Sequence, residues 1–462
     1  MINAGIVDNS GGYLSIGNGF SLYADMLQNS GGRIEIADGE ANILLAGNFD
    51  NSAGVFLRGG SGELKIGADT LHNDGGYIGM QEGAANISLA GAFDNNTGTF
   101  LHEGAGEVTV NADWLDNRQG FFIAGEGLLL QQNADAALPV LDNRYGYLQT
   151  GRGFSVFGAG LNNAGGKIIS GGFLAAHLGG YDFDNSGGSF SAGGHLVLDD
   201  FNRINNAGGI IQSARHLSLY GDTLDNSRFG KIIVRGGLVR MSLTGEFNNS
   251  GGLFSYDGGW SGNNWRLSDL FTLDAGSLNN SGGRIEIVNG SARLNIDGRL
   301  DNSTGVFVHQ GSALVVAAET LNNFQGALAS SGAFTLNLHG TDTLNPSLDN
   351  REGLLQGNAG LTISGIGLTN ADGDLQSDGA INLDLGNGAL NNSSNGRILA
   401  LGDLTINAAF GVNNSAFGVT NISGGIFSGG TINLNLGSGA LDNSSGGRIQ
   451  AYDAISIDSG SL

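Results

Sequence analysis

The aromatic and charged side chains best suited to recognising a ligand gather in one interval of this chain. Tyr256, Trp260, Trp265, Arg266 and Phe271 lie close together, and Trp260 and Trp265 are two of only 3 tryptophans. Such rings stack on the flat face of a sugar or fill a pocket in a partner protein, and an arginine beside them adds directed hydrogen bonds. The interval reads as a protruding binding loop or as a loop folded back over the flank of the protein, since large rings favour burial. The other chemistry-bearing residues converge less. The 7 histidines are scattered, and His102 and His309 share one offset in equivalent repeats, too far apart along the chain to hold one metal. Asp182, Asp184, Asp199 and Asp200 could form an acidic cluster of the kind used to bind calcium or to cleave polysaccharide. Arg203 is the solitary base near them, and their spacing matches no defined motif. Gly pairs such as Gly11-Gly12 do not join a strand to a helix, so they cradle no phosphate.

The elements that would carry these residues are set by composition. Of 462 residues, 84 are Gly, 2 are Pro and none is Cys; 40% are hydrophobic and only 14% charged. That is too apolar for a disordered Gly-rich linker. It is also too poor in charge for an ordinary globular surface, and suits stacked β architectures, where rows of one charge would repel. With 20 basic and 43 acidic residues the net charge is −23, which opposes binding to nucleic acid or anionic lipid. The absence of Cys removes disulfides and thiol-ligated metal, and no apolar run is long enough to span a membrane.

A recurring phrase decides the fold. An apolar residue, Asp or Asn, then Asn, two small residues, Gly, any residue and an apolar residue recur throughout. Leu27-Gln28-Asn29-Ser30-Gly31-Gly32-Arg33-Ile34 is one copy, and Leu278-Asn279-Asn280-Ser281-Gly282-Gly283-Arg284-Ile285 is another. The anchoring Asn recurs at positions that include Asn29, Asn51, Asn73, Asn95, Asn185, Asn280 and Asn302, with a late anchor expected near Asn421. Apolar residues keep fixed offsets from it: Ile34, Ile36, Ile43, Leu45 and Phe49 after Asn29, and Ile285, Ile287, Leu294, Ile296 and Leu300 after Asn280. Pairs two apart are a strand signal, and no window shows a helical period. The spacing predicts an all-β solenoid of about twenty turns of ~22 residues, with parallel strands stacked one turn upon the next. The anchor is expected at a corner, with its amide bonding along the stack and its backbone in the left-handed region; the Gly pair after it is expected to turn the chain tightly.

A higher order is visible as well. Anchors from Asn73 to Asn185 reappear from Asn280 to Asn392, and Pro139 and Pro346 hold equivalent places, where proline requires a loop or bulge. The expectation is a single continuous β-helix over 1–462 with loop excursions near 131–140, 255–275, 341–347 and 411–423. The chain starts and stops within the pattern and has no leader-like start, which reads as a segment cut from a longer fibre.

The phrases Leu-Asp-Asn-Ser-Gly-Gly-Arg-Ile and Leu-Asp-Asn-Arg-x-Gly, one per ~22 residues, resemble the haemagglutinin repeats of filamentous haemagglutinin-like exoproteins, including the stalks of contact-dependent growth-inhibition effectors. The resemblance implies a right-handed parallel β-helix, export through an outer-membrane partner transporter (two-partner secretion), and a place at the surface of a Gram-negative bacterium. It further implies a structural role: a stalk of an adhesin or inhibition effector that holds loops or a distal domain towards a host or neighbouring-cell receptor or glycan. No catalytic, cofactor or metal residue is carried over. The alternative from another class is a carbohydrate-active β-helix protein, binding or cleaving polysaccharide, which would need one groove where acidic and basic side chains meet.

Overall fold

The protein is described by a computed structural model covering residues 1–133, 139–258, 270–342, 345–415 and 424–461. Among the described residues every regular element is a strand, and every pairing is parallel to the strand one turn away, giving a β-solenoid of about 20 turns. Among the described residues no helix is long and apolar enough to cross a membrane.

One turn shows how the sequence writes the fold. After Asn73 the chain rounds a corner into strand Tyr77–Met80, passes a second corner into Ala85–Leu89, and reaches a short strand, Ala92–Asp94, just before Asn95. Alternate side chains point inward, so Ile78, Met80, Ala85, Ile87, Leu89 and Phe93 are all buried. The strands are short because Gly, Asn and Asp at the corners break them. In several turns the last two strands fuse, as in Phe173–Asp184.

The chain divides into two compact units, Met1–Leu224 and Asp225–Leu462. In the first, register repeats turn after turn: Ile78 pairs with Phe56 below and Phe100 above, and Phe100 with Phe122. Like therefore stacks on like, and the Phe100 and Phe122 rings lie face to face with centroids 4.4 Å apart. In the second unit Ile285 pairs with Phe307, and Phe307 with Leu328, in the same column. The expected interior offsets hold with one exception: Leu45 is only half-buried.

Longer repeats keep this register by releasing chain outside the stack. Leu115 pairs with Leu141 and Leu321 with Leu348, so the extra residues fall between strands. Pro139 and Pro346 sit there, outside any strand. The expected excursions near 131–140, 255–275, 341–347 and 411–423 lie wholly or partly outside the described residues.

An asparagine ladder and the candidate binding surfaces

The anchor asparagines form the organising site of the molecule. In the first unit each anchor from Asn9 to Asn185 donates its Nδ2 to the Oδ1 of the next, always at 2.7 Å. In the second unit the same chain of bonds runs from Asn226 to Asn443, at 2.6–2.8 Å. The second amide proton has a fixed partner too: Asn29 donates to the Val55 carbonyl at 3.2 Å and Asn73 to that of Thr99 at 3.1 Å. Asn29, Asn51, Asn73, Asn95, Asn185 and Asn280 are completely buried, and Asn302 is 1% exposed. A buried amide needs all of these partners, and a side chain that both donates and accepts can supply them indefinitely along a stack.

Three neighbours of the anchor explain the rest of the phrase. The preceding Asp or Asn accepts from the amide two residues on, as Asp50 does from Ser52 at 2.9 Å and Asp184 from Ser186 at 2.9 Å. Left-handed backbone belongs not to the anchor, as expected, but to the second residue after it: Gly31, Ala53, Gly75 and Thr97 have φ of 60°, 51°, 58° and 53°. The reason is that the anchor must turn its side chain inward, so the reversal is made two residues later. Several non-glycine residues occupy that place, Tyr145 (φ 56°) among them. The glycine after it is the stringent one. A Cβ on Gly54 would lie 2.1 Å from the Asn29 carbonyl oxygen, and one on Gly98 2.1 Å from that of Asn73. The late anchor is Asn414 rather than a residue near Asn421: it accepts from Asn392 and donates to Asn443. Asn421 lies outside the described residues.

A second polar column, visible in the sequence only through the shared offset of His102 and His309, lies at the end of the strand that follows the anchor. Inward positions seven residues after the anchor carry Arg58, His102, Ser213, His309 and Ser377 among apolar residues, and Ser428 joins the same column after a longer repeat, pairing with Ala400 as Ala400 does with Ser377; all six polar residues are buried. They satisfy corner carbonyls and one another: Arg58 donates to the Glu82 oxygen at 2.7 Å, Ser213 to that of Gly194 at 2.9 Å and Ser377 to that of Gly357 at 2.7 Å. His102 Nε2 meets the Gly83 oxygen at 2.6 Å, and His309 Nδ1 meets Ser330 Oγ at 2.9 Å. Burial holds the His309 imidazole below its ordinary pKa, against a backbone hydrogen bond with Gly290 that raises it. The signal for this column was present, since polar residues recur at one offset.

The aromatic interval is only partly a surface. Tyr256 is fully buried, with its hydroxyl donating to the Gly237 oxygen, and Phe271 is 1% exposed. Their rings meet with centroids 6.0 Å apart. Tyr256 therefore belongs to the core and not to a binding loop, because it occupies the inward offset seven after Asn249. Trp260, Trp265 and Arg266 lie outside the described residues. The carboxylates of the first unit do not converge: Asp182 is bound by Asn202 at 2.8 Å, Asp184 by Asn205 at 3.1 Å, and Asp199 pairs with His177. Among the described residues no group of three His, Cys, Asp or Glu is placed to hold a metal ion.

A parallel β-solenoid strung on an internal asparagine ladder is a repeat protein whose stability resides in stacking. The haemagglutinin-repeat family profile matches residues 105–180, 175–200, 202–251, 269–304, 287–345 and 329–425, well over half of the sequence, and the chain belongs to that family. It is a filamentous haemagglutinin-like protein. No curated protein and no solved structure matches the chain.

Proposed function

We propose that the chain is a stalk segment of a secreted, cell-surface filamentous adhesin or contact-dependent inhibition effector. It holds loops or a distal domain away from the bacterium, and it leaves the cell through an outer-membrane partner transporter. The observation that carries this reading is the uninterrupted run of buried Asn–Asn bonds within each unit of a haemagglutinin-repeat chain. Such a ladder adds one identical storey at a time, which suits reach and stiffness, and it needs no partner other than the next storey. The family is in general a structural adhesin family, and haemagglutinin repeats on a β-solenoid fit an adhesin-type stalk.

The ligand met by such a stalk is a receptor or glycan on a host or neighbouring cell, and the aromatic interval with Trp260, Trp265 and Arg266 is proposed as one contact. Whole-cell protease accessibility tests the reading in bacteria making the native precursor with and without its partner transporter. Surface cleavage of the stalk that depends on the transporter is expected. Protein that stays protected inside the cell in both strains would overturn it.

A further inference from the structure

One outward face of the first unit carries a groove whose key residues are replaced in its repeat copy. Outward positions four and six after each anchor flank the strand that follows the corner. Over successive turns they carry Val55 and Leu57, Tyr77 and Gly79, Thr99 and Leu101, Phe121 and Ile123, with no charge among them. Gly79 leaves a notch in this column. A Cβ there would lie 2.6 Å from Cε1 of Tyr77 and 2.9 Å from Cδ2 of Leu57, so the Tyr77 ring and the Leu57 side chain lean into the notch and take the space a side chain there would fill. Beside them opens a concavity of about 380 Å³ walled by Leu57, Tyr77 and Leu101 and edged by Gln81, Glu35 and Glu103; Arg58 also lines it, but its side chain is buried and its guanidinium donates to the Glu82 and Gly39 carbonyls. Glu35 is engaged by Arg33 and by the Tyr13 hydroxyl. Glu103 is exposed, and no basic side chain among the described residues pairs with it.

The duplicated unit supplies an internal comparison. The residues equivalent to Tyr77, Gly79 and Glu103 are Arg284, Glu286 and Gln310. Arg284 and Glu286 form an ion pair across the position of the notch, and the free carboxylate is gone. Repeat copying therefore preserved the ladder on both sides of the duplication but not the residues of this groove.

We propose that the Gly79 groove binds a lysine or arginine side chain presented by a basic segment of a partner protein. The aliphatic stem would lie against Leu57 and Leu101, and the cationic head would sit between the Tyr77 ring face and the Glu103 carboxylate. Three features favour that occupant. An aromatic face and an unpaired carboxylate together suit a cation, and the aliphatic walls suit a long stem. The surrounding chain is acidic, with a net charge of −23, so a basic segment is drawn in and an anionic one repelled. The backbone under the groove is already committed to pairing above and below, at Ile78↔Phe56 and Ile78↔Phe100, so a peptide cannot add there as a strand and must bind by its side chains.

The test is calorimetric titration of the full chain at low salt with end-blocked tetralysine, end-blocked tetraglutamate and a neutral N-acetylglucosamine tetramer. Tetralysine alone is expected to bind. Glu103→Gln, at an exposed site that folding does not need, should weaken it about tenfold. The double variant Tyr77→Arg/Gly79→Glu installs the pair found at Arg284 and Glu286 and leaves the net charge unchanged, so a similar loss in it cannot come from overall attraction. Undiminished tetralysine binding by both variants would overturn the proposal in favour of diffuse attraction to an acidic surface. Binding of the saccharide in place of tetralysine would overturn it in favour of a neutral hydroxylated ligand.

Discussion

Asn73 Nδ2 donates to Asn95 Oδ1 at 2.7 Å, although the two residues are 22 apart in sequence. Asn95 passes the same bond on to Asn117 at 2.7 Å and gives its second proton to the Phe121 carbonyl at 3.1 Å. Removing one amide strands groups above and below it. Asn95→Ala is expected to cost about 2–4 kcal/mol, the sum of two or more unmet buried partners. Asn95→Asp should cost more at neutral pH, because a buried carboxylate then faces the Asn117 oxygen, and its excess penalty should shrink on acidification. Guanidinium unfolding midpoints at neutral and acid pH check both statements.

The two glycines of the corner phrase are not equivalent. A Cβ on Gly187 (φ 60°) meets nothing within 4 Å, whereas one on Gly188 would lie 2.2 Å from the Asn163 carbonyl oxygen. Gly187→Ala should cost about 1–2 kcal/mol, the strain of a left-handed alanine. Gly188→Ala cannot be accommodated without moving the backbone that the ladder fixes, and should cost at least ~3 kcal/mol. Thermal melting of the two single variants distinguishes them.

The Asp94 carboxyl is held above its ordinary pKa, first by burial and then by repulsion from Asp116 and Asp74, against an opposing hydrogen bond from the Asn96 amide. A carboxyl group that holds its proton more tightly when folded weakens the fold above its folded pKa, and the penalty vanishes below its unfolded pKa. Asn248 and Asn322 stand in the equivalent column and donate to Asp225 and Asp301. Asp94→Asn is therefore expected to stabilise by a few tenths to about 1 kcal/mol at neutral pH, allowing for solvent screening. The gain should fade as pH falls through the folded pKa of Asp94. A pH series of melting midpoints for variant and parent measures it.

The sign is opposite for His309. Its folded pKa lies below 6.5, mainly through burial. Its contribution is complete above that value and is lost as pH falls through the folded pKa. Replacing it with serine, the residue at the stacked position Ser330, should lower stability at neutral pH but flatten the decline between about pH 7 and about pH 5. Denaturant midpoints across that range read the slope directly.

Much of the fold was legible because the anchor phrase is dense and its offsets are rigid. Phe49, Ile87 and Leu294 could each be placed in the core from distance to an asparagine alone. Positions where two residues compete for one role were not legible. Asn414 and Asn421 both follow the pattern locally, and only the hydrogen bonds from Asn392 and to Asn443 decide between them. Tyr256 looked like a surface aromatic because its neighbours did, yet its offset from Asn249 already placed it inside. The left-handed position was misassigned because Asn tolerates that conformation, while the buried ladder forbids it here. The Gly79 groove was invisible for a different reason: it is defined by a missing side chain on an outward column, which a search for conspicuous residues passes over.

The central claim is that each Asn-anchored phrase is one storey of a regular stack. In the first unit Ser21 stacks beneath Asn42, then Lys65, Asn86, Thr109, Leu129, Ser155, Ala175 and Val197. The chain contains 0 Cys, so paired cysteines at these outward sites can carry spin labels without interference. Electron–electron dipolar distances from Ser21 to Ser155, Ala175 and Val197 should lengthen by about 4.8 Å per storey, reaching roughly 38 Å at the last. Distances that fail to grow in proportion to the number of intervening phrases would contradict the account.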